Sequence, residues 1–203
     1  MREVEVKYAV SDAEDVAGVL AGRGIVLDAP VLQDDQAFAP RPWDFGDSKL
    51  GVSFLRLRTV SGRHWFALKR PMVNAQDCLE YETEVADREQ MHHAVLLMGY
   101  RPTVRVAKVR RTGRHGEISL CLDDVEGAGA FLELERLVPD DADAVQVQDE
   151  LAAFVASLGI EAVRTAETYD SLVRAAQEGS SVRLPSSRVS IEPARSAATS
   201  SAV

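Results

Sequence analysis

Six separate strand-length stretches of this chain alternate charged and apolar residues at period two, and that repetition constrains the fold more than any other feature. Successive side chains of a strand point to opposite faces, so each stretch has one charged and one apolar face. Arg2 to Val10 sets Glu3, Glu5 and Lys7 against Val4, Val6 and Tyr8; Arg56 and Arg58 oppose Leu55 and Leu57; Glu80, Glu82 and Glu84 share a face. Lys108 and Arg110 share another, Asp123 opposes Leu120 and Leu122, and Glu133 and Glu135 oppose Leu132 and Leu134. An antiparallel sheet with one solvated side shows such alternation with no further role. The signs here are segregated, however: counting seven strand-length stretches in chain order, with His64 to Lys69 as the third, acids mark the first, sixth and seventh, and bases the second, the third through Lys69, and the fifth. A solvated face more often mixes signs between neighbouring strands.

Turn and cap signals divide the chain into further elements. Asp12 to Arg23 reads as an amphipathic helix with Ser11 or Asp12 as N-cap and Gly24 past its end; Asp87 to Met98 and Ala144 to Leu158 read as two more, closed by Gly99 and Gly159. Ser53 to Val60, His64 to Lys69 and Leu79 to Val85 form a meander; Thr103 to Arg111 and Glu117 to Val125 a hairpin around Gly113 and Gly116; Ala130 to Val138 a last strand. Pro40 to Gly51 is expected to be a mobile loop or hairpin tip. From about Gly179 the composition turns to Ser, Ala, Pro and Arg, which buries too little surface to offset ordering entropy. The expected organisation is therefore one domain, residues 1–175, followed by a disordered tail, residues 176–203.

The expected fold is α+β: a mostly antiparallel, closed β-barrel with helices packed outside. Closure turns the charged face inward, where charges are costly unless they pair or bind ions. Carboxylates are hard oxygen donors for Mg2+ or Mn2+, and Lys and Arg make charge-assisted bonds to phosphate oxygens. Together they describe a tunnel for a metal-bound triphosphate.

Bulk properties narrow the remaining classes. With 23 Lys plus Arg against 32 Asp plus Glu, the net charge of −9 gives no basic field to hold a nucleic-acid duplex. No apolar run approaches the roughly 20 residues that span a bilayer, so no membrane partner is expected and the cytoplasm is the expected location. Cys78 and Cys121 lack ligand spacing and read as ordinary reduced thiols. His92 and His93 read as surface residues, Trp65 as core, and Trp43, in the loop, as core or ligand contact.

The ordered set of motifs resembles the CYTH superfamily, which includes class IV adenylate cyclases and thiamine triphosphatase-like, triphosphate tunnel metalloenzymes. Glu3-Val4-Glu5-Val6-Lys7 has the ExExK form that opens those proteins. Phe54-Leu55-Arg56-Leu57-Arg58, Ala67-Leu68-Lys69-Arg70-Pro71, Glu80-Tyr81-Glu82, Lys108-Val109-Arg110, Leu122-Asp123-Asp124-Val125-Glu126-Gly127 and Phe131-Leu132-Glu133-Leu134-Glu135 follow in order, so the similarity runs from Met1 to about Ala175. The resemblance implies that Glu3, Glu5, Asp123, Glu133 and Glu135 hold the metal, with Glu80 and Glu82 nearby. It implies that Arg56, Arg58, Lys69, Lys108 and Arg110 hold the triphosphate, and that Lys7 and Lys69 are the catalytic candidates. Arg105 falls on the opposite face from Lys108.

Two departures stand out. Cys78 takes a position where the family often has arginine, and Phe38 ends a motif in which tyrosine is common. Arg41-Pro42-Trp43-Asp44-Phe45 resembles the segment between the second and third strands of bacterial class IV cyclases, which favours conversion of ATP to cyclic AMP. Hydrolysis of thiamine triphosphate or tripolyphosphate, or a non-catalytic module that binds a phosphorylated ligand, are the alternatives. Homodimers occur in the family. Glu167-Thr168-Tyr169-Asp170 is expected to plug one barrel mouth as a structural element.

Overall fold

The computed structural model describes residues 2–181. In chain order the elements are β1 (Arg2–Val10), α1 (Ala13–Gly22), β2 (Val31–Pro40), β3 (Phe54–Val60), β4 (Arg63–Pro71), β5 (Asp77–Val85), α2 (Arg88–Leu97), β6 (Tyr100–His115), β7 (Ile118–Val125), β8 (Gly129–Val138), α3 (Ala144–Leu158), β9 (Ala162–Thr165) and α4 (Tyr169–Ser181). The strands pair antiparallel in the order β5-β4-β3-β2-β6-β7-β8-β1. Residues Arg2 to Val4 then pair with Leu79 to Asp77 and close an eight-stranded barrel. The rest of that edge of β1, Lys7 to Val10, is taken by β9.

Closure is fastened by one buried ion pair. Arg2 donates to both carboxylate oxygens of Asp77, at 2.7 and 3.0 Å, and to the carbonyls of Asp140 and Ala142, both at 2.8 Å. Asp77 is fully buried, so the seam between β1 and β5 depends on this guanidinium for its charge balance.

The apolar faces of most strands turn outward and pack largely against helices. Val4, Val6, Leu120, Leu122, Leu132 and Leu134 pack against Val16 and Leu20 of α1 and Val147, Leu151, Val155 and Leu158 of α3. Each such side chain removed from water stabilises by roughly 1.5–3 kcal/mol, which pins the register and holds the charged face inside. Phe38, Leu55 and Leu57 meet Val95 of α2 in a second cluster. Val104, Val106, Val125 and Phe131 meet Val173 of α4 in a third, at the barrel end where β1 finishes.

The helix starts match their cap chemistry: Asp12, Asp87 and Asp143 each accept two backbone N–H bonds, and Gly159 closes α3 at φ 72°. β6 differs from its sequence reading. It continues through Gly113 to His115, leaving Gly116 (φ 58°) for the turn. Gly113 is in the strand because the segment after α1 crosses against it: a Cβ there would lie 2.8 Å from Leu27 Cδ2 and 3.1 Å from the Val26 carbonyl oxygen.

The loop of residues 40–51 also differs from expectation, being packed rather than loose. Trp43 is buried, donates to the Ser48 carbonyl at 3.2 Å and meets Phe45 and Phe54 edge to face. A fourth helix, α4, includes the first residues assigned to the tail, up to Ser181; the remainder of that expected tail lies outside the described residues. No helix among the described residues is long and apolar enough to cross a membrane.

Candidate functional site

The inward faces converge on a cavity of about 180 Å3. β1 and β8 supply its acids. Cα register sets Glu5 opposite Glu135 and Lys7 opposite Glu133, and oxygens of Glu3, Glu5 and Glu135 all lie within 4.8 Å of one another. Burial raises the Glu3 carboxyl to about 8, with Lys69 opposing and Glu135, Glu80 and Glu5 adding to the rise. Burial and Glu133 raise Glu5 to about 7 against the pull of Lys7, and burial likewise raises Glu135. Three mutually repelling carboxylates with elevated proton affinity form a hard-oxygen set that fits a divalent cation such as Mg2+ or Mn2+.

The remaining predicted acids are committed to cations. Glu133 meets Lys7 at 3.1 Å and also pairs with Arg110. Asp123, fully buried, accepts from Lys108 at 3.2 Å and from Arg110 at 2.6 and 2.5 Å. Glu133 also approaches Cys121 and Glu135 in a second group, next to the first. Glu80 takes Lys69 at 2.5 Å and Arg56 at 3.1 Å, and these cations overcome its burial and hold its carboxyl near 2. Glu82 pairs with Arg56 at 2.7 Å toward the solvent side.

The five predicted phosphate ligands, Arg56, Arg58, Lys69, Lys108 and Arg110, all line the cavity, as does Lys7. Arg56 Nε is buried without a hydrogen-bond partner, a donor directed at neither neighbouring carboxylate. Burial would neutralise Lys7 and Lys69, but the surrounding glutamates keep both more basic than usual, so both are ammonium ions. Lys108 goes the other way: burial and Arg110 lower it to about 8. Arg105 points outward to Asp34 at 2.8 Å, as its parity requires.

Asp35 and Lys49 were not singled out from the sequence, and Tyr169 was read there only as part of a structural plug. Asp35 stands opposite Arg58 in the register and accepts two 2.7 Å bonds from it; burial pushes its carboxyl up, and Arg58 overrides this and holds it at about 2. Its position on the same face as Gln33 was a usable signal. Tyr169 donates to Asp123 at 2.7 Å, and Lys49 reaches Thr168 at 2.6 Å and Asp170 at 3.2 Å. Neither has a strand pattern around it to reveal that it faces the cavity. Of the Glu167 to Asp170 segment, Thr168, Tyr169 and Asp170 line the cavity. His92 lies against Phe38 with ring centroids 5.3 Å apart and His93 is exposed. Trp65 is half-buried under Arg63, outside the cavity.

Beside the charges, the cavity has an apolar part lined by Ala37, Ala39, Trp43 and Phe54. The cavity thus suits a molecule with a polyanionic part and a flat or apolar part.

Comparison with known proteins agrees with this architecture. A Methanocaldococcus jannaschii protein provisionally named an adenylate cyclase is 28% identical over 162 residues, covering 79% of this chain and 91% of the relative. Adenylate cyclase CyaB of Aeromonas hydrophila is 24% identical over 189 residues, covering 91% and 95%. A Pyrococcus horikoshii structure superposes with a TM-score of 0.69 at 24% identity, covering 84% of this chain and 99% of that one. A Hippeastrum protein, whose structure is described as revealing a dominant triphosphatase activity, has a TM-score of 0.58 at 19% identity, covering 86% and 95%; both likenesses are of fold. The CYTH domain model matches residues 1–169, and the chain belongs to the CYTH domain family.

Proposed function

We propose that this protein is a metal-dependent enzyme that converts ATP to cyclic AMP and pyrophosphate. The observation that carries the reading is that Glu5 and Glu135, whose carboxylate oxygens cluster with that of Glu3, line one cavity together with seven Lys and Arg side chains and with Trp43 and Phe54. The names of the archaeal and Aeromonas relatives support it.

A divalent cation held by Glu3, Glu5 and Glu135 would supply positive charge at the phosphate oxygens. Arg56, Arg58, Lys69 and Arg110 would exchange carboxylate partners for phosphate oxygens and hold the chain in line. The unpartnered Arg56 Nε supplies a donor at no such exchange. Lys7 and Lys69, held as ammonium ions by their glutamate neighbours, would neutralise charge as it develops and would not act as bases. In cyclisation the ribose 3′-oxygen bonds to the α-phosphorus, its proton is released, and the bond from the α-phosphorus to pyrophosphate breaks. The apolar wall at Trp43 and Phe54 suits an adenine ring and favours a nucleoside triphosphate over a bare inorganic chain.

Hydrolysis is the second reading, supported by the Hippeastrum neighbour and by the fact that the same cations would serve attack by water. The purified protein is to be incubated with ATP, tripolyphosphate or thiamine triphosphate, with magnesium or manganese, and the products resolved by mass. Cyclic AMP with pyrophosphate supports the cyclase. Orthophosphate release replaces it with a hydrolase, and tight metal-dependent binding without product replaces both with a binding module.

A further inference from the structure

The segment leading into α4 enters the barrel. Lys7 Nζ donates to the Glu167 carbonyl at 3.1 Å and lies 4.1 Å from the centroid of the Tyr169 ring. Lys108 Nζ lies 4.5 Å from the same centroid. The Tyr169 hydroxyl is bonded to Asp123, and its ring packs edge to face on Phe131 at 5.4 Å. On either side of it, Thr168 and Asp170 are bonded by Lys49, which ties the 40–51 loop to the segment that carries the ring.

These contacts put an uncharged ring across two of the most shielded cations in the molecule. Lys7 and Lys108 are only 2% and 4% exposed. Tyr169 borders the same cavity as Arg56, Arg58 and Lys69, at the end where β1 finishes. An anion chain held by those cations and extending toward that end meets a phenol ring before it can reach further along the barrel. A ring and a phosphate group fill comparable space. Without the ring, Lys7 and Lys108, each with one close carboxylate partner (Glu133 at 3.1 Å and Asp123 at 3.2 Å), would have an open side on which an additional phosphate could bind.

We infer that Tyr169 is the end stop of the anion chamber and selects triphosphates against longer linear polyphosphates, by filling the space beside Lys7 and Lys108 that a fourth phosphate would take. The inference rests on the triphosphate reading above. It assigns Tyr169 a role in specificity that its ring, more than its hydroxyl, performs.

The test is equilibrium binding of tripolyphosphate and of tetrapolyphosphate to the full chain by calorimetry, with calcium as the divalent cation. The comparison spans wild type, Tyr169→Phe, Tyr169→Ala and Tyr169→Val; the valine variant keeps an apolar contact with Phe131 if the alanine variant does not fold, and circular dichroism checks each fold. Wild type and Tyr169→Phe are expected to prefer tripolyphosphate by about tenfold, and the smaller side chains to bring the ratio to unity or invert it. A ring with a merely structural role would change stability and leave the ratio alone. An unchanged ratio in a folded Tyr169→Ala or Tyr169→Val, or equal binding of both chains by wild type, overturns the inference and leaves the triphosphate reading standing. Failure of wild type to bind either chain overturns both.

Discussion

Glu3, Glu5 and Glu135 share a space in which three negative charges repel, and burial with that repulsion raises the proton affinity of each. Protons and a divalent cation therefore compete for the same oxygens. In the absence of metal, carboxyls with folded pKa values raised to about 8 and 7 favour the folded state at low pH and cease to do so as pH rises through those values. Added Mg2+ or Mn2+ is accordingly expected to raise the melting temperature more at about pH 8 than at about pH 6, because fewer protons must be displaced. Glu135→Gln should fold and should lose most of that metal-induced shift, along with turnover; thermal melts with and without metal at the two pH values check both. Asp35 has the opposite sign. Its folded pKa, about 2 against an ordinary 3.8, gives stability that is present above about pH 4 and lost as the pH falls toward 2. Denaturant titrations of wild type and Asp35→Asn should show their difference shrinking by about 2 kcal/mol over that interval.

At the scale of elements, the barrel seam and the helix ends obey different physics. Asp12 was readable as a cap because a capping side chain bonds its own neighbours; Asp87 and Asp143 cap in the same way, and α3 ends at the glycine that signals it. β6 and the 40–51 loop were not readable in the same way. Gly113 sits in a strand because another segment crosses it, and Trp43 is buried because Phe54 and the Ser48 carbonyl receive it. Both causes are contacts with other parts of the chain, and local propensity carries no trace of them. The Arg2–Asp77 pair is a third such contact, joining residues 75 positions apart. Asp77→Ala should cost about 3–5 kcal/mol, because it strands a buried guanidinium at the seam. Urea denaturation measures this, and a loss under about 1 kcal/mol would show that the seam is held by backbone pairing alone.

For the molecule as a whole, closure of the sheet is what makes a site out of a pattern. A chain ended after Ser181 should melt at the same temperature as the full chain and bind triphosphate equally well, since the residues beyond contain few large apolar groups. A lowered melting temperature would place part of the core beyond Ser181. The alternation of charge and hydrophobicity determined, without any coordinates, that most strands would bury one face against helices and carry Glu3, Glu5, Arg56, Arg58, Lys108, Arg110, Glu133 and Glu135 together on the other. Parity along a strand is a local property with a fixed period, so a linear sequence carries it in full. Which charges pair is set by the stagger between strands and by the path of the chain after the last of them. Only the tertiary structure gathered Glu3, Glu5 and Glu135 into one group and gave Asp123 and Glu133 to Arg110, Lys108 and Lys7. It also brought Asp35, Lys49 and Tyr169 to the same cavity from a strand, a loop and a helix start, because distances across a closed barrel depend on register and closure, which no single segment encodes.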